Sequence, residues 1–81
     1  MKEFLIEIAD ELRYGIIKYK GVSVLVRFYE NEGELIGVFW IPEKEVGENV
    51  LFSPEVFRVV GTKDDKEKLV DLLLDHIQSL F

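Results

Sequence analysis

Apolar and charged positions alternate along this chain with two different periods. In KEFLIEIADELR, Phe4, Leu5, Ile8 and Leu12 fall within one stripe at helical spacing, with Glu3, Glu7, Asp10 and Glu11 elsewhere. A strand phased on Phe4, Ile6 and Ile8 competes over the first residues, but Leu12 continues the stripe, and the spacing predicts a helix. Strand patterns follow. YGIIKY runs into Lys20-Gly21, a two-residue turn signal, and then into VSVLVRFY. ENEGE is the next turn signal, and LIGVFWI is a third strand, stopped by Pro42.

The stretch from Pro42 to Asn49 reads as a polar loop. VLFSPEVFRVV admits two readings: Ser53-Pro54-Glu55 fits the N-cap, N1 and N2 of a short helix, or Pro54 interrupts an edge strand. The expectation here is a strand over about Val56 to Val60. Thr62-Lys63-Asp64-Asp65 then has the form of a capping box, with two acids at the positive end of a helix. KEKLVDLLLDHIQSLF continues it, with Leu69, Val70, Leu73, Ile77, Leu80 and Phe81 on one face. Adding Leu72 and Leu74 widens the apolar arc to roughly 200°, where ~100° serves one core contact.

A hairpin about ENEGE has the same register whether its loop holds two residues or four: Leu25 opposes Trp40, Val26 opposes Phe39 and Arg27 opposes Val38. The Lys20-Gly21 turn sets Ile17 against Val24 and Ile16 against Leu25. Because side chains alternate between faces, register sorts them. One face collects Ile17, Tyr19, Val22, Val24, Val26, Phe28, Leu35, Phe39 and Ile41, with Gly15 and Gly37, and no charge interrupts it. Both helices are expected to pack there. The other face collects Tyr14, Ile16, Lys18, Ser23, Leu25, Arg27, Tyr29, Ile36, Val38 and Trp40, joined by Val56, Arg58 and Val60 if the fourth strand takes the expected phase. A sheet with one wet face should be polar on that side. This one is aromatic and aliphatic with a few cations, a larger apolar patch than a monomer ordinarily leaves uncovered.

The fold class read from these patterns is α+β: an N-terminal helix, a mainly antiparallel meander of about four strands and a long C-terminal helix, in one small domain spanning 1-81. Size limits what such a domain can do alone. A 9.4 kDa chain exposes roughly 13,600 Å² unfolded and about 5,000 Å² folded, which permits one modest core. Net stability is small at this size unless something else contributes. With no cysteine there are no disulfides, and oligomerisation is the remaining source.

Charge narrows the partners. A net charge of −6 opposes non-specific attachment to nucleic acid or to anionic membranes. No apolar run approaches the ~20 residues of a membrane span, and MKEFLIEIAD lacks the parts of a signal peptide, so a cytoplasmic location is expected. Eleven glutamates and seven lysines against one glutamine and two asparagines is the bias of thermophile proteins, and it predicts such a source.

Candidate chemistry is sparse. The single histidine, His76, lies at the margin of the last helix's apolar arc and reads as a boundary side chain rather than a base or ligand. Ser23, Ser53 and Ser79 have no nucleophile motif around them. Glu30, Glu32 and Glu34 share a turn with a glycine but lack the alternating Asp and Asn of a calcium loop, so they read as a solvated hairpin tip. Glu43, Glu45 and Glu48 belong to another loop. Asp71 and Asp75, one helical turn apart, fall on the polar side, and the glycines form no phosphate cradle. No catalytic residue, metal or cofactor is assigned. VVGTKDDKEKL resembles the strand, Gly-Thr-Lys turn and helix of TATA-binding-protein-like domains over that short segment, and no residue role or function is carried over from it.

The remaining constellation is the second sheet face. Tyrosine, tryptophan and arginine beside aliphatics are residues that enrich interface centres. The expected function is therefore a non-enzymatic protein-interaction module. It self-associates, as a dimer first, through Tyr14, Ile16, Leu25, Arg27, Tyr29, Ile36, Val38 and Trp40 or through the broad last helix; another protein is the other candidate partner. The alternative is a single-stranded nucleic-acid binder, with Lys18, Arg27 and Arg58 holding phosphates while Tyr14, Tyr29 and Trp40 stack bases.

Overall fold

The structure, a computed structural model, describes residues 1–81 apart from the side chain of Glu45. Helix α1 (Lys2–Glu11) is followed by strands β1 (Tyr14–Tyr19), β2 (Val22–Asn31), β3 (Glu34–Trp40), β4 (Pro42–Val46), β5 (Asn49–Phe52) and β6 (Phe57–Gly61). A 3₁₀ turn at Lys63–Asp65 leads into α2 (Lys66–Leu80). Strands β1-β2-β3-β6 make an antiparallel sheet in that order, and β4 pairs with β5 alone. The fold is α+β. Among the described residues no helix is long and apolar enough to cross a membrane.

Two tight turns set the sheet's register. Lys20 and Gly21 have φ of 51° and 80°, and Glu32 and Gly33 have 51° and 82°. Positive φ at both central residues is the type I′ turn, whose twist matches that of the strands it joins. The pairs that follow are those the alternation predicts: Ile16↔Leu25, Ile17↔Val24, Leu25↔Trp40, Val26↔Phe39 and Arg27↔Val38.

Both helices cover one face. Leu5, Ile8 and Ala9 of α1 and Leu69, Val70, Leu73 and Ile77 of α2 form a single buried cluster with Ile17, Val24, Val26, Phe28, Leu35, Phe39 and Val59. Two glycines let this layer approach closely. A Cβ at Gly15 would fall 2.1 Å from Ile8 Cδ1, and one at Gly37 would fall 2.6 Å from the Phe28 ring. At the start of α2 the Thr62 backbone N–H and hydroxyl both donate to the Asp65 carboxylate, at 3.2 Å each, completing the expected capping box.

Several boundaries differ from the sequence reading. Leu12 is not part of the buried stripe: it is the left-handed C-cap of α1 (φ 51°), and Ala9 takes the core position a turn earlier. Leu80 and Phe81 are exposed: the buried side of α2 ends at Ile77, and Phe81 only borders the Tyr19 ring at the sheet's edge, with centroids 6.3 Å apart. The fourth strand begins at Phe57, opposite Phe39, so Val56 precedes it and packs against the helix-side core instead of the second face.

The largest difference lies between Pro42 and Asn49, where a hairpin replaces the expected loop. It is the far end of the β3/β6 ribbon. Val56 N–H donates to the Phe39 carbonyl at 3.0 Å and Ser53 N–H to the Ile41 carbonyl at 2.8 Å, so the ladder continues past the sheet into β4 and β5. Between those bonds the ribbon bends. The Ser53 hydroxyl accepts from Ile41 N–H (3.3 Å) and donates to the Pro54 carbonyl (2.8 Å), and Pro54, without an N–H, stands where the pairing lapses. The turn is Gly47-Glu48, with φ of 63° at Gly47 and no positive φ at Glu48, the type II′ form.

Exposed ion pairs link the helices: Lys2 Nζ lies 3.0 Å from both Asp71 and Glu67, and Lys66 meets Asp10. The hydrogen bond from Lys2 to Asp71, then that to Glu67, raises the lysine's pKa above its ordinary 10.5. A raised folded-state pKa contributes stability that is fully present below the ordinary lysine value and is lost as pH rises through the folded one. We therefore expect the alkaline decline in stability above pH 10.5 to be steeper in the native chain than in Lys2→Met, measured by urea titration across that limb. Gly37→Ala forces a methyl against Phe28 and Val59; we expect a loss of about 1–3 kcal/mol. Thermal melting followed by circular dichroism should show it as a Tm fall of roughly 4–8 °C per kcal/mol.

Candidate functional site: the open face of the sheet

The register fixes the composition of the side that the helices leave bare. Tyr14 and Ile16 of β1, Leu25, Arg27 and Tyr29 of β2, and Ile36, Val38 and Trp40 of β3 share it, so all eight residues expected there come together. Lys18 and Ser23 join at one end, and Arg58 and Val60 of β6 lie opposite Val38 and Ile36.

This face has its own packing. Val38 and Ile36 are only 1% and 5% exposed, yet neither belongs to the cluster beneath the helices. Their shelter is lateral: Arg27 and Arg58 flank Val38, and Tyr29 and Val60 flank Ile36. The Arg27 guanidinium lies over the Tyr14 ring at 5.0 Å and the Tyr29 ring at 4.6 Å. Tyr14 in turn stacks on Trp40, with centroids 6.3 Å apart and planes 26° from parallel. A row of rings and one guanidinium thus spans three strands above an aliphatic floor. Each cation–π contact is worth about 0.5–1 kcal/mol at an exposed site. Trp40 is half-buried in this row and does not enter the helix-side core.

Beyond the row the surface is apolar and open. Tyr14, Ile16 and Val60 expose 52%, 57% and 47% of their area. The cations are mostly engaged. Arg58 is held by Glu55 in a two-pronged pair, Nε to Oε2 at 3.0 Å and Nη2 to Oε1 at 3.2 Å, and these hydrogen bonds raise its pKa further. Arg27 lies between two rings, which leaves Lys18 as an exposed amine at the margin.

The other candidate residues take structural places. His76 stacks on Phe57, centroids 3.9 Å apart and planes 10° from parallel, with Phe39 at 5.9 Å. It caps the edge of the core as an aromatic side chain. Glu30 pairs with Lys63 at 3.2 Å, Glu32 occupies its turn, and Glu34 lies opposite Asn31. Asp71 is taken up by Lys2. Ser53 forms the ribbon's bend, and the Ser79 hydroxyl donates to the His76 carbonyl at 2.8 Å. Among the described residues no set of three or more metal-ligating side chains converges.

One apolar surface escaped the sequence reading. Val46, Val50 and Leu51 on the β4–β5 hairpin are 49%, 42% and 52% exposed. A signal was present in Val46-Gly47-Glu48-Asn49, since Gly-X between extended segments is a hairpin turn. The surrounding glutamates masked it.

Arg27 is the centre of the row, and its removal should open Val38 to water. We expect Arg27→Ala to lose about 1–2 kcal/mol, two such contacts' worth, in urea denaturation. A double-mutant cycle with Tyr29→Leu should return a coupling of about 0.5–1 kcal/mol. Arg27→Lys should recover little, since an ammonium cannot stack on two rings as a planar guanidinium does.

Comparison with protein-family models, with curated proteins and with solved structures returns no significant match, so the functional reading rests on the geometry of this face.

Proposed function

We propose that this chain is a small non-enzymatic interaction module that pairs with a second copy of itself through the open sheet face, in a reducing cytoplasm. The observation that carries this reading is the row Trp40–Tyr14–Arg27–Tyr29, stacked above Ile36 and Val38 and bordered by half-exposed Ile16 and Val60. Pre-ordered Trp, Tyr and Arg side chains on an apolar floor lose little conformational entropy on contact, and such residues dominate binding energy at interface centres. The size of the domain points the same way. One 81-residue core without disulfides leaves a small net stability, to which association adds.

The same face is a weak platform for single-stranded nucleic acid. Phosphate contacts need several cations with donors to spare, whereas Arg58 is committed to Glu55, which leaves Arg27 and Lys18 to supply them. The chain's net charge of −6 adds to that cost.

Light scattering on the native chain at tens of micromolar should give twice the 9.4 kDa chain mass. Trp40→Glu, which sets a carboxylate in the row, should give a monomer with unchanged circular dichroism. A native chain that is monomeric at that concentration rejects self-association. Titration with labelled oligonucleotides at low salt should show no binding; saturable binding that weakens with salt would transfer the face to nucleic acid.

A further inference from the structure

The four-stranded sheet has two unpaired edges, β1 and β6, and they are built differently. β6 is guarded. It opens at a bulge, where Val56 and Phe57 both stand opposite Phe39, and it carries the Glu55–Arg58 ion pair with Pro54 just ahead. Bulges, prolines and charges are the features that keep a second chain off a strand. β1 has neither bulge nor proline, and Lys18 is its one charge.

One bond fixes which backbone groups β1 offers. Phe28 N–H donates to the Arg13 carbonyl at 3.1 Å, so every second residue from there, Gly15, Ile17 and Tyr19, turns its N–H and C=O toward β2. Those of Tyr14, Ile16 and Lys18 point outward. Among the described residues only the Tyr14 carbonyl has a partner there, the Arg13 guanidinium at 3.1 Å, and a carbonyl has a second lone pair. Apolar side chains flank this row on both sides. Tyr14 and Ile16 are half exposed above it, and Phe4 of α1, 36% exposed, lies beneath Gly15.

These features fit a second copy of the same strand. Antiparallel about a two-fold axis at Ile16, the outward groups of two such strands make up to about six hydrogen bonds. Ile16 then meets Ile16, and each Lys18 lies beside the exposed Tyr14 ring of the other copy, so no like charges are opposed. The helix layers also fit. α1 packs on β1 and β2, so the α1 helices of the two copies come about 10 Å apart, a helix-contact distance. Glu7 and Glu11 on that side are already held by Arg13 of their own chain.

We infer that β1 is a self-pairing edge: it takes the β1 strand of a second copy, antiparallel, and joins two four-stranded sheets into one continuous sheet. The contact is separate from the open face and goes beyond the pairing proposed there. It is also weaker. About 20 Å of strand against layers ~20 Å deep gives roughly 400 Å² per copy. Twice that falls short of the ~1,000 Å² of a stable interface and lies in the range of transient ones, so the edge pairs at higher protein concentration.

Amide hydrogen exchange followed by NMR tests it in Trp40→Glu, chosen to remove the face contact, at tens of micromolar and at millimolar concentration. The Tyr14, Ile16 and Lys18 amides should exchange fast in the dilute sample and several-fold more slowly in the concentrated one. Gly15 and Ile17, bonded to β2, should stay slow in both. Ile16→Pro removes an outward N–H and no β1–β2 bond; added to that chain, it should abolish the concentration dependence at Tyr14 and Lys18. Equal rates at the two concentrations, slowing confined to β6, or slowing that survives Ile16→Pro overturns the edge pairing and leaves the face pairing to its own test. Should Trp40→Glu fail to fold, the native chain decides, because face pairing leaves the β1 edge open to water and edge pairing does not.

Discussion

The register fixed at Lys20-Gly21 and Glu32-Gly33 governs the rest of this molecule, because side chains on a strand change sides with every residue. A slip of one position would exchange Phe28 and Phe39 beneath the helices for Arg27 and Val38. The close fit of Gly15 to Ile8 and of Gly37 to Phe28 would vanish with it. Turn geometry, close helix packing and the separation of two apolar surfaces are thus one condition seen at three scales. Each type I′ turn has glycine second, where positive φ costs nothing, and a lysine or glutamate first, where it costs something. The sheet tolerates that strain because the two faces it separates are chemically so unlike.

A single layer of two helices has to leave one side of a sheet uncovered, and this chain treats that side in its own way. Instead of polar residues it sets long, flat side chains over short aliphatic ones, so that Val38 is as dry as a core residue while facing away from the core. An arginine between two tyrosines excludes water from the floor and still presents an even, partly apolar top. In the proposed pairing such a surface serves the folded monomer and its partner at once, since the contacts that dry its floor also order the side chains that would meet that partner.

Much of this was legible in the residues. Alternation gave the strands, turn signals gave the pairing, and the pairing gave both faces, Trp40 included. What escaped was set by contacts that periodicity does not record. Leu12 follows the stripe of α1 but terminates the helix in a left-handed conformation, where its side chain leaves the core. Val56 has the right phase for a strand that starts one residue later. The β4–β5 hairpin escaped because its strands are too short and too acidic to alternate cleanly; they are held by the ladder extending from Phe39 and Ile41, which only the folded chain displays.

The bend at Ser53 and Pro54 has a mechanical consequence. The backbone bonds from Ser53 to Ile41 and from Val56 to Phe39 carry the ladder across it, and beyond them the ribbon is two strands wide where the body is four, the condition under which a segment opens locally. Fraying is expected to begin in that ribbon and to stop at the bend. Mutation can therefore reshape its tip with little risk to folding.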